Sequence, residues 1–220
     1  MKKIILYTVN DGLFTLHIAK KICVDLNKKF SIDVFIGKPN FIRKIKVLLV
    51  FILFGSFSNL IFLFKKRAKL NDLSEIKNVN IINHNKKNYY FGLSMNYPKK
   101  IILKNYNIYN FHLGNFINQR GSFIFFYKYL YNWKTLDLTF HKITNKYDSG
   151  HILNQKTENI KNKNATDICL LYNSNYKFIK KSIGKITLKN KKKLIYGDLN
   201  IEPSFYLIMK VYILKTFKIY

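Results

Sequence analysis

The opening of the chain constrains its fold most. A short apolar run at residues 3–8 is closed by Asn10-Asp11-Gly12, apolar residues then recur at helical spacing from Leu13 to Leu26, and a second apolar run spans Ile32 to Ile36. Short apolar runs bounded by turn residues read as strands and the intervening periodicity reads as a helix, so the chain begins as a β-α-β unit of an α/β fold. The initial Met1-Lys2-Lys3 before an apolar stretch has the look of a signal peptide, but Asn10-Asp11-Gly12 ends the stretch too soon. The unit lacks G-x-G-x-x-G, which removes the usual signal for a dinucleotide site.

Beyond the opening, residues 47–64 form an apolar run interrupted at Gly55-Ser56 and flanked by basic residues on both sides. It lies at the lower edge of transmembrane length, and symmetric basic flanks carry no orientation signal. The expectation is a helix broken near Gly55, buried or lying exposed with peripheral membrane contact. A polar stretch from Asn71 to Lys87 follows. The pattern then predicts strands at Tyr89–Ser94, Asn107–His112, Leu136–Thr144 and His151–Thr157, an aromatic helix at Ser122–Tyr131 and a helix near Ala165–Leu171. Ile183–Leu194 has the pattern of a lysine-rich hairpin, and Pro203–Tyr220 is an apolar, aromatic tail. One domain at residues 1–200 with a tail at 201–220 is the expected organisation.

Chemistry is concentrated between Asn110 and Ile152, which read N-F-H, then R-G, then T-F-H, then D-S-G-H-I. Two residues apart on a strand, Asn110 and His112 share one face, since side chains alternate with period two. An amide and an imidazole side by side suit attack on a carbonyl: the amide donates to a developing oxyanion while the imidazole donates or moves a proton. Asp148, followed by Ser149 and Gly150, sits in a turn sequence that would hold a carboxylate at a strand end, to orient His112 or accept a proton. No Ser or Cys stands in a nucleophile-elbow context, so direct transfer is favoured over a covalent enzyme intermediate. His17 and His151 read as surface or structural histidines, and His84 as solvent-exposed.

These ordered pieces resemble the pattern of the folate-dependent formyltransferase family: N-x-H, a later R-G, T-x-H and D-x-G-x-I. The resemblance extends upstream through Tyr90-Phe91-Gly92-Leu93-Ser94-Met95-Asn96-Tyr97-Pro98, which looks like the family's strand and loop beside the folate. It implies a Rossmann-like formyltransferase fold with a mostly parallel central sheet flanked by helices. It also implies 10-formyltetrahydrofolate as formyl donor and catalytic roles for Asn110, His112 and Asp148. Phe91, Met95, Tyr97 and His141 are the candidates for the cofactor pocket, although an aromatic stripe is more often core and His141 serves equally as a structural residue. Arg120 is the candidate contact to an acceptor phosphate or carboxylate, with a turn-stabilising salt bridge as its alternative, and Gly121 would shape the backbone there at a helix start. The chain departs from the family in having Leu113 where a Pro usually follows the His, and Phe116-Ile117 where Leu-Pro usually precedes Arg-Gly. Loss of proline loosens a loop without removing a catalytic group.

The acceptor is less constrained. The opening lacks the Gly-Ser-rich phosphate loop of glycinamide ribonucleotide transformylases, and the residues after 160 leave little room for the extra domain of methionyl-tRNA formyltransferases. An amino sugar on a nucleotide carrier is therefore the preferred acceptor. The formal net charge is +28, from 39 Lys+Arg against 11 Asp+Glu, which raises an alternative: an inactive protein of the same fold that binds membrane or nucleic acid. Arginine is confined to Arg43, Arg67 and Arg120, so bidentate phosphate reading is weakly supported and nucleic acid is not favoured. Cys23 and Cys169 are too few for a disulfide framework or a zinc site, and no metal site is expected. A cytoplasmic location, with peripheral membrane contact through 47–64 as an option, is the default.

Overall fold

The computed structural model describes residues 1–9, 15–38, 40–56, 61, 71–83, 88–95, 107–144, 148, 150–186 and 198–217. Strand β1 (Lys2–Val9), helix α1 (Thr15–Leu26) and strand β2 (Phe30–Gly37) form the opening unit. The strands pair in parallel from Lys2↔Phe30 to Val9↔Gly37. Ile4, Leu6, Ile32 and Val34 on one sheet face pack with Leu16, Ala19, Ile22 and Cys23 of α1 in the main core. That burial drives the unit together and pushes the Cys23 thiol up to about 12, which leaves it an inert apolar side chain.

The sheet grows outward from this unit in both directions. Strands β3 (Val79–Ile82), β4 (Gly92–Met95), β5 (Ile108–Leu113), β7 (Thr135–Lys142) and β8 (Ile152–Asn159) complete a seven-stranded order β3-β2-β1-β4-β5-β7-β8. Pairing is parallel from β3 through β5 and antiparallel for β5–β7 and β7–β8. Chain progression therefore reverses direction between β1 and β4, the kind of switch point beyond whose strand ends α/β proteins bind ligands. A separate two-residue ladder joins β6 (Arg120–Gly121) to β9 (Leu199–Asn200).

The structure corrects several sequence expectations. The polar stretch 71–87 contains helix α3 (Asn71–Ser74) and edge strand β3, whose pattern of buried Val79 and exposed Asn80 and Ile81 carries too little apolar signal to stand out. Tyr89–Phe91 precede β4 rather than beginning it, although Tyr90 N donates to the Lys3 carbonyl and the Phe91 carbonyl accepts from Ile5 N; the Tyr89 hydroxyl donates to the buried Asp33 carboxylate at 2.8 Å. Ile183 ends a helix, α7 (Tyr176–Ile183), where a hairpin was expected to start, and residues 187–194 of that expected hairpin lie outside the described residues.

Helix α2 (Phe41–Phe54) begins earlier than the apolar run because Asn40 caps it, accepting from Arg43 N at 2.7 Å. It stops at Gly55, as the interruption at Gly55-Ser56 led one to expect; residues 57–60 and 62–64 of the run lie outside the described residues. With α4 (Ile124–Leu130), α5 (Ala165–Cys169) and α8 (Phe205–Thr216), α2 builds a second core around Val50, Phe51, Phe54, Phe126, Ile208 and Val211. The apolar tail is thus a docked helix. No helix among the described residues is long and apolar enough to cross a membrane. Phe51 is 1% exposed at the centre of this cluster. Phe51→Ala is expected to destabilise the protein by about 3–5 kcal/mol, read as a lowered urea midpoint with unchanged slope.

Candidate active site

Strand β5 has two chemically different faces. Tyr109 and Phe111 point into the main core, while Asn110 and His112 alternate to the opposite face, that of the small Ile5, Tyr7, Tyr89 and Ile108 cluster. Strand β7 repeats the division. Leu136, Leu138 and Phe140 are fully buried in the core, and Asp137, Thr139 and His141 take the other side. The registers Ser94↔Asn110, Asn110↔His141 and His112↔Thr139 then place Ser94, Asn110 and His141 in one polar row, with His112 and Thr139 in the next row.

Within that row the hydrogen bonds define orientations. His141 Nδ1 lies 3.3 Å from the Lys142 carbonyl, which can only accept, so Nδ1 carries the proton. His141 Nε2 is then an acceptor, and Asn110 Nδ2 donates to it at 3.2 Å. The Asn110 amide is held with its second N–H and its oxygen facing away from His141. The edge of the Phe116 and His141 ring pair, 4.7 Å between centroids, closes one side. His141 is thereby a residue that fixes Asn110, buried at 1% exposure.

His112 is oriented just as firmly. Its Nε2 donates to the Gln119 carbonyl at 2.9 Å, and its Nδ1 faces Asp148 Oδ1 at 3.4 Å. With Nε2 committed, Nδ1 is the nitrogen left for chemistry, and it sits beside the carboxylate. Asp148 adopts φ of +40°, a left-handed conformation that Asp and Asn tolerate better than other side chains, at the strand β7–β8 connection. Tyr172, on helix α6 (Leu171–Ser174), was not singled out from sequence: its hydroxyl is buried with no hydrogen-bond partner among the described residues, and burial together with the Asp148 charge holds the phenol well above its usual range.

The loop between His112 and Arg120 lacks the two prolines but is tied by hydrogen bonds instead. Asn115 Oδ1 accepts from Ile117 N and Asn118 N, each at 3.0 Å. The buried Gln119 side chain accepts from Asn115 N and Asp137 N and donates to the Thr135 carbonyl at 2.8 Å. Thr139 Oγ1 donates to the Gly114 carbonyl at 2.7 Å. Gly114 has φ of +131°, and a Cβ there would lie 1.9 Å from the Gln119 carbonyl that holds His112. No side chain fits at that position. Neither Gln119 nor Gly114 was legible in advance, since a loop glutamine and a loop glycine have no pattern of their own.

The remaining candidates are placed as follows. Arg120 and Gly121 pair with Leu199 and Asn200 as β6, directly after the residue whose carbonyl holds His112. Gly121 has φ of +106° in that strand, and the residue at the helix start with positive φ is Phe123 rather than Gly121. Met95 is buried on the core face beside Phe111, and Phe91 lies at the opposite end of β4, its ring packed on Phe30 and Tyr109. Tyr97 lies outside the described residues. Asn110, His112, Asp148 and His141 thus come together, whereas Phe91 is spent on the core.

Gln119→Ala would strip the side-chain acceptor from the Asn115 and Asp137 main-chain donors and the side-chain donor from the Thr135 carbonyl, loosening the loop whose Gln119 main-chain carbonyl braces His112. It is expected to destabilise the protein by about 1–3 kcal/mol in chemical denaturation, with Gly114→Ala at least as damaging although it only adds a methyl group.

No family model and no curated protein matches the sequence. Solved structures do match. A sugar 3N-formyl transferase, WlaRD, superposes with a TM-score of 0.61 at 19% identity over 91% of this chain and 70% of its own. A 4-N formyltransferase from Francisella tularensis gives 0.57 at 18% identity over 91% and 76%. Phosphoribosylglycinamide formyltransferase from Campylobacter jejuni gives 0.55 at 13% identity over 84% of this chain and 97% of that one. With its mostly parallel central sheet flanked by helices, the chain has the fold of these formyltransferases.

Proposed function

We propose that the chain is an N-formyltransferase that moves a formyl group from 10-formyltetrahydrofolate to an amine, with an amino sugar on a nucleotide carrier as the acceptor. The observation that carries the reading is the convergence of the oriented Asn110 amide with the His112–Asp148 pair, 3.4 Å apart, on one sheet face at the C-terminal half of β5. The donor set suits a carbonyl ligand: an amide N–H, an imidazole and a carboxylate, backed by the apolar ring of Phe116.

When bound, 10-formyltetrahydrofolate supplies an activated formyl carbonyl. Asn110, fixed by His141, presents its second N–H to negative charge growing on the carbonyl oxygen; such a preorganised donor stabilises the transition state more than the ground state. His112 cannot swing away, because Gln119 holds Nε2, so Nδ1 stays where it can donate or receive a proton. Asp148 steadies the imidazole and takes the proton that the attacking amine must lose. Arg120, a planar cation on the segment next to this site, binds the acceptor phosphate.

The acceptor class is supported by the neighbours. Three of them are named sugar formyltransferases, one provisionally, and the WlaRD enzyme was crystallised in the presence of dTDP and 5-N-formyl-THF, a nucleotide and a formyl-folate. Methionyl-tRNA is the competing acceptor, favoured by the likeness to the Clostridium thermocellum methionyl-tRNA formyltransferase, at a TM-score of 0.53.

The test is steady-state turnover with 10-formyltetrahydrofolate against nucleotide-linked amino sugars, glycinamide ribonucleotide and methionyl-tRNA, following folate release. Turnover is expected with an amino sugar. Asn110→Ala and His112→Ala should each lower kcat by about a hundredfold or more with folate binding little changed. Arg120→Ala should act mainly on KM for the acceptor. Near-normal turnover in His112→Ala would make the central residue structural and overturn the mechanism.

A further inference from the structure

Helices α2 and α8 carry apolar residues on two opposite sides, yet each buries only one stripe. Val50, Phe51 and Phe54 of α2 and Ile208 and Val211 of α8 enter the second core. The opposite stripe of α2, Phe41, Ile45, Leu48 and Ile52, is exposed, Phe41 by 75% and Ile52 by 61%. On α8 the exposed stripe is Tyr206, Met209, Ile213 and Phe217, with Tyr206 at 75% and Phe217 at 68%. Isolated exposed apolar residues need no explanation, but two adjoining stripes at helical spacing do.

The two helices lie side by side and run the same way. Near their starts, the Lys46 ammonium sits 5.4 Å from the Phe205 ring, and near their ends Phe54 and Tyr212 meet edge to face at 5.9 Å. Both rest on one core, so their outer stripes form one surface. The charges around it have a single sign. Lys44 and Lys210 are exposed among the apolar residues, and no Asp or Glu occurs between Val34 and Asn71 or from Pro203 to Tyr220. Glu202, at the start of this region, is neutralised by Arg43 at 3.1 Å and Lys46 at 3.2 Å, which also bolts the two helices together.

We infer that this α2–α8 face is a docking surface for an anionic lipid bilayer. An apolar strip edged by lysines is how a helix lies in a membrane interface, side chains among the acyl chains and ammonium groups at the phosphates. Aliphatic Ile45, Leu48, Ile52 and Ile213 take up much of the strip and offer nothing to a nucleic-acid backbone, and the cations beside it are lysines without the planar fork that reads phosphates bidentately. Acyl chains therefore suit the surface better than bases, even though Phe41, Tyr206 and Phe217 carry rings. A second copy placed on the same patch by a twofold axis would oppose lysine to lysine with no carboxylate to answer, so charge complementarity selects lipid. The surface is separate from the polar row of the sheet, and the inference stands whether or not the formyl-transfer reading does.

The test is flotation of the full chain with vesicles of equimolar phosphatidylcholine and phosphatidylglycerol, and with phosphatidylcholine alone. Binding is expected only to the anionic vesicles. Ile45→Glu combined with Ile213→Glu, both at exposed positions, should weaken it by about tenfold or more, and Lys44→Glu with Lys210→Glu likewise, at unchanged melting temperature. Lys28→Glu with Lys29→Glu removes the same charge from exposed positions at the α1–β2 turn and should change binding no more than about twofold. Equal loss in the two lysine pairs would mean diffuse charge attraction and overturn the assignment. So would failure to float. A dimer in analytical ultracentrifugation that the Ile45/Ile213 pair dissociates would give the surface to a second copy instead.

Discussion

The antiparallel seam between β5 and β7 is the constraint on which the site depends. Its register sets Asn110 against His141 and His112 against Thr139. Because side chains alternate strictly along both strands, a shift of one residue would turn every polar group into the core and every core residue toward the site. The register is held by the apolar half of the same strands. Phe111 and Phe140 pack with ring centroids 4.5 Å apart, and Leu136 and Leu138 are fully buried. The energy that folds this edge of the sheet and the geometry that orients the amide and imidazole are therefore two faces of one pairing. The bulge between Phe140 and His141 then shifts the β7–β8 register, so that His141 pairs with Ile152.

Much of this was legible from sequence, for reasons that differ by element. The β-α-β opening showed because short apolar runs and a helical period stand out against the turn Asn10-Asp11-Gly12. The adjacency of Asn110 and His112 followed from strand periodicity alone. Strand β3 escaped notice because edge strands bury one side of a few residues. The role of His141 was open because its strand has both faces buried, so no polar exposure marked which groups share a side; the register resolves it. Gln119 could not have been foreseen: its contribution is a carbonyl for His112 and a side chain for Asn115 and Asp137, and these depend on loop geometry that no local pattern encodes.

The proline departures illustrate how one structural task is met by different chemistry. A proline stiffens a loop by removing conformations from the unfolded chain as well as the folded one. Here the stiffness comes from an Asn115 turn, a buried glutamine bridging to β7, and Gly114 in a conformation closed to other residues. The Asn115 turn bonds lie at the surface, whereas the Gln119 bridge is partly buried and so contributes more per bond. Phe116, 2% exposed in the place of the family's leucine-proline pair, packs instead against the rings of His141 and His112.

The polar row and the apolar surface are also joined mechanically. Gln119 holds His112; the next two residues, Arg120 and Gly121, pair with Leu199 and Asn200; and Glu202, two residues further, ties Arg43 and Lys46 of α2. Tyr127 of α4 reinforces the path by donating to the Ile201 carbonyl at 2.7 Å. Each link is a short main-chain or charge-assisted contact, and none contains a long unbraced segment. A face held on a bilayer through α2 and α8 would therefore set the height and tilt of the His112–Asp148 pair above the lipid, because each link between them is a direct contact.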